Sequence, residues 1–273
     1  MILLTTEQKI YYVLRIAAAM CFIGHGAFGI ITKQIWCNYF AVFGIGHDMA
    51  YQLMPLLGTV DILMGIIILI YPIRAVVAWL IIWGTITALL RPLSGEPFAE
   101  LIERAGNFGA PLALLLLLDW RGKNVKRWFT KINPDIDIDG AALSSITTYL
   151  RVIVFLLLIG HGWLNLIEKK GLLIQYTSLG FSNPGSTAHI VGLLEILAAC
   201  IVLIRPARSL LLIFLIWKMV SELFYPHYEI FEWVERGGSY GTLIALWFAL
   251  KSNAITNSAM NMSRPANKLK FIR

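Results

Sequence analysis

Eight long apolar stretches, separated by short polar segments, limit this chain more than any other feature. They run over residues 10–31, 53–71, 74–90, 105–120, 148–167, 187–204, 208–225 and 239–250. A helix that crosses a bilayer needs about 20 apolar residues, with a range of about 17–25. Lipid offers the backbone no partners, so a spanning segment must bond to itself as a helix or close into a barrel. The alternating pattern of barrel strands is absent. The expectation is an all-α integral membrane protein of eight transmembrane helices, the short fourth and eighth stretches extending into the loops before them. The charge content agrees: 14% of the 273 residues are charged, against about 25% in a soluble domain.

The net charge of +7 does not read as nucleic-acid binding. Most basic residues lie between apolar stretches or near the C-terminal end, where they orient a membrane protein. One side collects the 72–74 and 205–208 turns, Arg15, Arg151, the linker bases Arg121, Lys123, Lys126, Arg127 and Lys131, and the C-terminal segment. That side is expected to be cytoplasmic, with both termini on it. Residues 251–273 are expected to form a basic flexible tail near anionic lipid. Residues 1–9 include Glu7 and lack a positive run ahead of a cleavage pattern, so the first stretch reads as a retained helix. The three cysteines, Cys21, Cys37 and Cys200, form no Cys-x-x-Cys pair; Cys21 and Cys200 read as small packing residues.

An internal repeat organises the chain. Leu14-Arg15 with Ile23-Gly24-His25-Gly26 recurs as Leu150-Arg151 with Ile159-Gly160-His161-Gly162. Gly58 to Leu63, containing Asp61, matches Gly192 to Leu197, containing Glu195. Pro72-Ile73-Arg74 matches Pro206-Ala207-Arg208, Trp83 matches Trp217, and Glu103-Arg104 matches Glu235-Arg236. The offset drifts only from 136 to 132 residues. The expected organisation is a four-helix repeat over 1–120, a basic linker over 121–147, a second four-helix repeat over 148–250 and the tail. An even number of spans per copy makes the repeats parallel, related by a pseudo-two-fold axis.

Ionisable residues in apolar helices are costly and often mark function. By this topology His25, Asp61, Arg91, Glu103 and Arg104 fall at one depth, and His161, Glu195, Glu222, Glu235 and Arg236 repeat the layer. Two readings stand. Asp61 with Arg104 and Glu195 with Arg236 are ion pairs that fix packing, or the same groups line a cavity that binds a ligand or passes protons. Lys218 and Glu222, four apart on one helix face, have no counterpart, so a working site is expected first in the second half. In Gly-His-Gly, the glycines admit a close helix and the imidazole bonds to a carboxylate such as Asp61 or Glu195. A quinone contact and bis-histidine haem ligation by His25 and His161 are further assignments, the haem one resting on symmetry alone.

The 91–103 and 225–235 segments carry Glu96, Glu100, Glu103 and Glu229, Glu232, Glu235 at helical spacing, with Phe98, Phe231 and Trp233. They are expected to form short surface helices with a solvated acidic face. His227 beside Glu229 is a thin metal signal, and no metal site is assigned. Nucleophile-elbow, P-loop, dinucleotide and His-Glu-x-x-His motifs are absent, so whether the chain is itself an enzyme stays open.

The unit with Leu-Arg and Gly-His-Gly in its first helix, an acid in the second and Glu-Arg-x-Gly opening the fourth resembles the DoxX/DoxD-like membrane family. The tandem copy departs from that family's single unit. The resemblance implies a bacterial inner (cytoplasmic) membrane protein, in some members the membrane partner of a quinone-linked oxidoreductase such as thiosulfate:quinone oxidoreduction. The expected function is thus a membrane subunit of a redox complex that binds a quinone-like amphiphile. A non-enzymatic scaffold and a small-solute or proton transporter are the alternatives. The partners implied are membrane lipid and further subunits of a complex.

Overall fold

The computed structural model describes residues 4–118, 124–136, 138–225 and 230–263, with side chains as far as Lys251. Pro226, His227 and Glu229, the linker bases Arg121 and Lys123, and tail residues 264–273 lie outside the described residues. The fold is all α. In chain order the helices are α1 (Thr6–Ile30), α2 (Trp36–Ala41), α3 (His47–Ile70), α4 (Arg74–Leu93), α5 (Ala99–Glu103), α6 (Ala105–Leu117), α7 (Gly140–Leu166), α8 (Lys170–Ser178), α9 (Pro184–Ile204), α10 (Arg208–Ser221), α11 (Ile230–Glu235) and α12 (Gly237–Ser263).

This order corrects the expectation of eight transmembrane helices in two four-helix repeats. Each apolar stretch does form a helix, but among the described residues each half contains six α-helices. Among the described residues, five are long and apolar enough to cross a membrane: α1, α3, α4, α7 and α9. The 13 residues of α6 and 14 of α10 rise about 1.5 Å each, well short of a core about 30 Å thick. The fourth stretch does not extend backward, because the chain breaks at Arg104 between α5 and α6. The polar segments hold α2, α5, α8 and α11, which hydropathy alone does not separate from loops.

The side-chain distribution is consistent with membrane association. Asp61, Glu195, Lys218 and Glu222 are buried, whereas Leu56, Ile70, Leu193 and Ile213 are exposed. A soluble monomer rarely shows so much apolar helix surface. Cys200 also faces outward, against its reading as a packing residue.

Local signals set the long helices. Thr5 and Gln8 form a reciprocal capping box on α1, and Asp139 accepts from Ala142 N at 2.7 Å to start α7. Asn183 caps α9, with Pro184 in its first turn. At the same end, Arg15 donates to Ile68 O at 2.8 Å and to Leu69 O, satisfying the last carbonyls of α3. Arg151 does the same for Val202 and Leu203 of α9. These pairs explain why Leu-Arg recurs.

The Gly-His-Gly motifs lock the halves together. A Cβ on Gly26 would lie 2.5 Å from Gly58 O, and one on Gly162 would lie 2.8 Å from Gly192 O, so the second glycine of each motif seats its own half's next long helix. The first glycine faces the other half: Gly24 meets the backbone of Glu235, and Gly160 meets that of Glu103. α6 and α12 cross at Gly106 and Gly238, where a Cβ on Gly238 would lie 2.5 Å from Gly106 O. Replacing Gly160 with Leu is expected to cost about 3 kcal/mol or more through overpacking, read as a lower thermal midpoint in detergent. Gly140→Ala, with open space around the position, is expected to leave the midpoint unchanged or higher.

Candidate functional site

At the end opposite the Arg15 and Arg151 contacts, the buried charges meet at the seam between the halves. His25 Nδ1 lies 2.7 Å from Asp61 Oδ2, and His161 Nδ1 lies 2.7 Å from Glu195 Oε2. This is the histidine–carboxylate bond anticipated for the motif. The expected Asp61–Arg104 and Glu195–Arg236 pairs do not form. Arg104 instead donates to Glu100 at 2.6 Å and Glu103 at 3.0 Å. Arg236 reaches Glu103 of the other half at 2.5 Å and lies 3.5 Å from Glu222. Lys218 and Glu222 do pair, at 2.8 Å, and Tyr240 donates to Glu222 at 2.6 Å.

Two lysines that the sequence reading passed over complete the network. Lys33 pairs with Glu232 of the other half. Lys169 pairs with Glu100 at 2.7 Å, again across the halves. Each lysine follows a residue in the left-handed region, Thr32 at φ 53° and Glu168 at φ 54°. That turn ends α1 and α7 alike and swings the next side chain toward the seam. The recurrence of a lysine eight residues after each motif histidine was the available signal.

The acidic segments are therefore not solvated faces. Glu100, Glu103, Glu232 and Glu235 are all buried, because cations from both halves converge on them. Phe98 and Phe231 stay exposed, as an interfacial position requires. Burial alone raises the Glu100 carboxyl, but Arg104, then Lys169 and Arg91, overcome it and hold it at about 2. Burial likewise opposes ionisation of Glu103, and Arg236 and Arg104 hold it well below the ordinary value.

The histidine sites differ in what surrounds them. His25 lines an open-sided pocket with a cavity of about 70 Å³, walled by Trp36, Tyr39, Phe40 and Trp83 and edged by Arg91, Arg104, Asn107 and Glu235. The imidazole lies against Trp36, ring centroids 4.6 Å apart. Arg91 reaches Glu96 at 3.2 Å, and Tyr39 donates to the same carboxylate at 2.5 Å. A charged cavity adjoins, sharing Trp36, Arg91, Arg104 and Glu235 and adding Lys33, Lys169 and Glu232.

The second half is filled where the first is open. Asn165 donates to Glu195 at 3.1 Å and accepts from Tyr176 at 2.6 Å. Leu172, Tyr176, Tyr225 and Trp217 pack together there. From the Trp83–Trp217 match, Gly84 and Ala88 correspond to Lys218 and Glu222, and Arg91 corresponds to Tyr225. The unrepeated pair thus belongs to a closed interior, and the open pocket lies in the first half rather than the second. Among the described residues no group of three His, Cys, Asp or Glu side chains is placed to hold a metal ion.

Breaking a buried pair on one side costs about 3–5 kcal/mol, because the other charge stays behind. Glu222→Leu is expected to lose that much in detergent denaturation, and Lys218→Met with Glu222→Leu to recover at least half. For the depressed carboxylates the sign is fixed: their contribution is present above the ordinary value of 4.5 and is lost as pH falls toward about 2. The thermal midpoint is expected to drop over that window, and Glu100→Gln to flatten the drop. No family model, curated protein or solved structure matches this chain.

Proposed function

We propose that this protein is the membrane subunit of a quinone-linked redox complex, and that a quinone-like amphiphile binds in the pocket beside His25. One observation carries the reading: the imidazole of a histidine–aspartate pair lines an open-sided pocket with aromatic walls. Trp36, Phe40 and Trp83 offer flat apolar walls to a ring. Arg91, Arg104 and Asn107 offer hydrogen-bond donors to its carbonyl oxygens. The resemblance to DoxX/DoxD-like proteins points the same way, and by it the membrane is a bacterial inner membrane. The end carrying Arg15, Arg74, Arg151 and Arg208 would face the cytoplasm.

The imidazole gives the pocket its chemistry. With Nδ1–H donating to Asp61, Nε2 is left as an acceptor for a quinol hydroxyl. His25 Nε2 would accept the proton of such a hydroxyl, and Asp61 would stabilise the imidazolium that forms.

A short-chain quinone analogue is expected to quench the fluorescence of the purified protein saturably, since Trp36 and Trp83 line the pocket. His25→Ala is expected to weaken binding about tenfold or more, the worth of one hydrogen bond to a charged group. Thr87→Trp, which fills the pocket, is expected to abolish it. A wild-type protein that neither quenches saturably nor yields quinone on lipid extraction would falsify the proposal.

A further inference from the structure

A second pair of matched positions diverges at the opposite end of the molecule, near the start of α10. Arg74 opens α4, and its guanidinium donates to Leu118 O at 3.2 Å and Arg127 O at 3.3 Å. The linker is held over it by Ile132 N donating to Pro72 O at 2.9 Å. Arg208 opens α10 at the matching position. Its guanidinium lies over the Trp247 ring, 4.0 Å from the centroid. Its Nε is buried and finds no hydrogen-bond partner among the described residues.

Beside Arg208 runs a groove between α10 and α12 with a cavity of about 240 Å³. Its lining is wholly apolar and includes Leu211, Leu215, Leu243, Trp247 and Phe248. Lys9 of α1 stands 5.9 Å over the Phe248 ring. Two rings that wall the apolar trough thus each carry a cation, Arg208 on Trp247 and Lys9 on Phe248, and Arg208 has an unused donor. A neutral apolar occupant would leave that donor unmatched. A ligand with an acyl chain and an anionic phosphate at its head satisfies both parts.

We propose that the α10–α12 groove is a site for an anionic phospholipid, with an acyl chain against Leu215 and Trp247 and the phosphate on Arg208 and Lys9. The site lies apart from the His25 pocket and does not depend on the quinone reading. Native mass spectrometry of the detergent-purified protein, titrated with phosphatidylglycerol or phosphatidylcholine of the same chains, tests it. Phosphatidylglycerol is expected to bind about fivefold tighter, the effect of roughly one cation near an anionic headgroup. Arg208→Gln is expected to remove the preference while keeping the neutral lipid, and Leu215→Trp to weaken both. Equal binding of the two lipids by the wild type overturns the proposal, as does an undiminished preference in Arg208→Gln. Binding of neither lipid, with a dimer in the same spectrum, also overturns it and assigns the groove to a second copy.

Discussion

The fold turns on how buried charges at the seam between the two halves are neutralised. Neither half satisfies all of its own charges. Arg104 serves Glu100 and Glu103 from within the first half, but Arg236 reaches across to Glu103, Lys169 to Glu100 and Lys33 to Glu232. Desolvating such groups costs several kcal/mol per ion, and pairing returns that only with good geometry. The network therefore specifies an arrangement more than it adds stability. The glycine contacts follow from the same demand. Gly24 and Gly160 let α1 and α7 approach the backbones of α11 and α5 closely enough for the carboxylates to reach across.

The same network shapes the pocket. Arg91, Arg104 and Glu235 belong to the ionic seam and also edge the aromatic pocket. Their positions are held by other charges, so a bound ligand does not have to order them. Trp36 and Tyr39 come from the short helix α2, which the left-handed turn at Thr32 redirects across the end of α1. A helix terminus, a lysine and a pocket wall are thus parts of one local geometry.

Much of this was legible in the sequence, and the remainder was hidden for definite reasons. The apolar stretches, the paired Leu-Arg and Gly-His-Gly segments and the Lys218–Glu222 pair involve hydropathy or neighbours on one helix, which spacing reveals. Arg104 was assigned to Asp61 because both fall at one depth; depth does not say which faces meet, and Arg104 turns to Glu100 and Glu103. The glutamates of α5 and α11 looked solvated because their spacing is that of an amphipathic helix. Arg104 is a local partner, but Lys169 lies 69 residues from Glu100, and Arg236 and Lys33 lie 133 and 199 residues from Glu103 and Glu232, beyond any local pattern. The span count failed at Arg104, where one residue ends α5 and caps α6, a break that a hydropathy average smooths over.

The departures between the matched halves then distinguish the two histidine sites. In a symmetric homodimer a substitution that fills one pocket fills both, because the same surface appears twice. A duplicated chain escapes that rule. At the Trp-anchored positions, Gly84 and Ala88 of the first half stand where the second half carries the Lys218–Glu222 pair. Gly29 stands where Asn165 bridges Glu195 and Tyr176. The extra charges are tolerated because Arg236 and Tyr240 already stand beside Glu222. The filled half gives the seam a rigid, neutralised wall. The open half keeps the same histidine–carboxylate geometry, at the same 2.7 Å, but exposes it to a cavity. A histidine–carboxylate pair held closed in one half and accessible in the other is what two unlike halves of one chain permit and a homodimer does not.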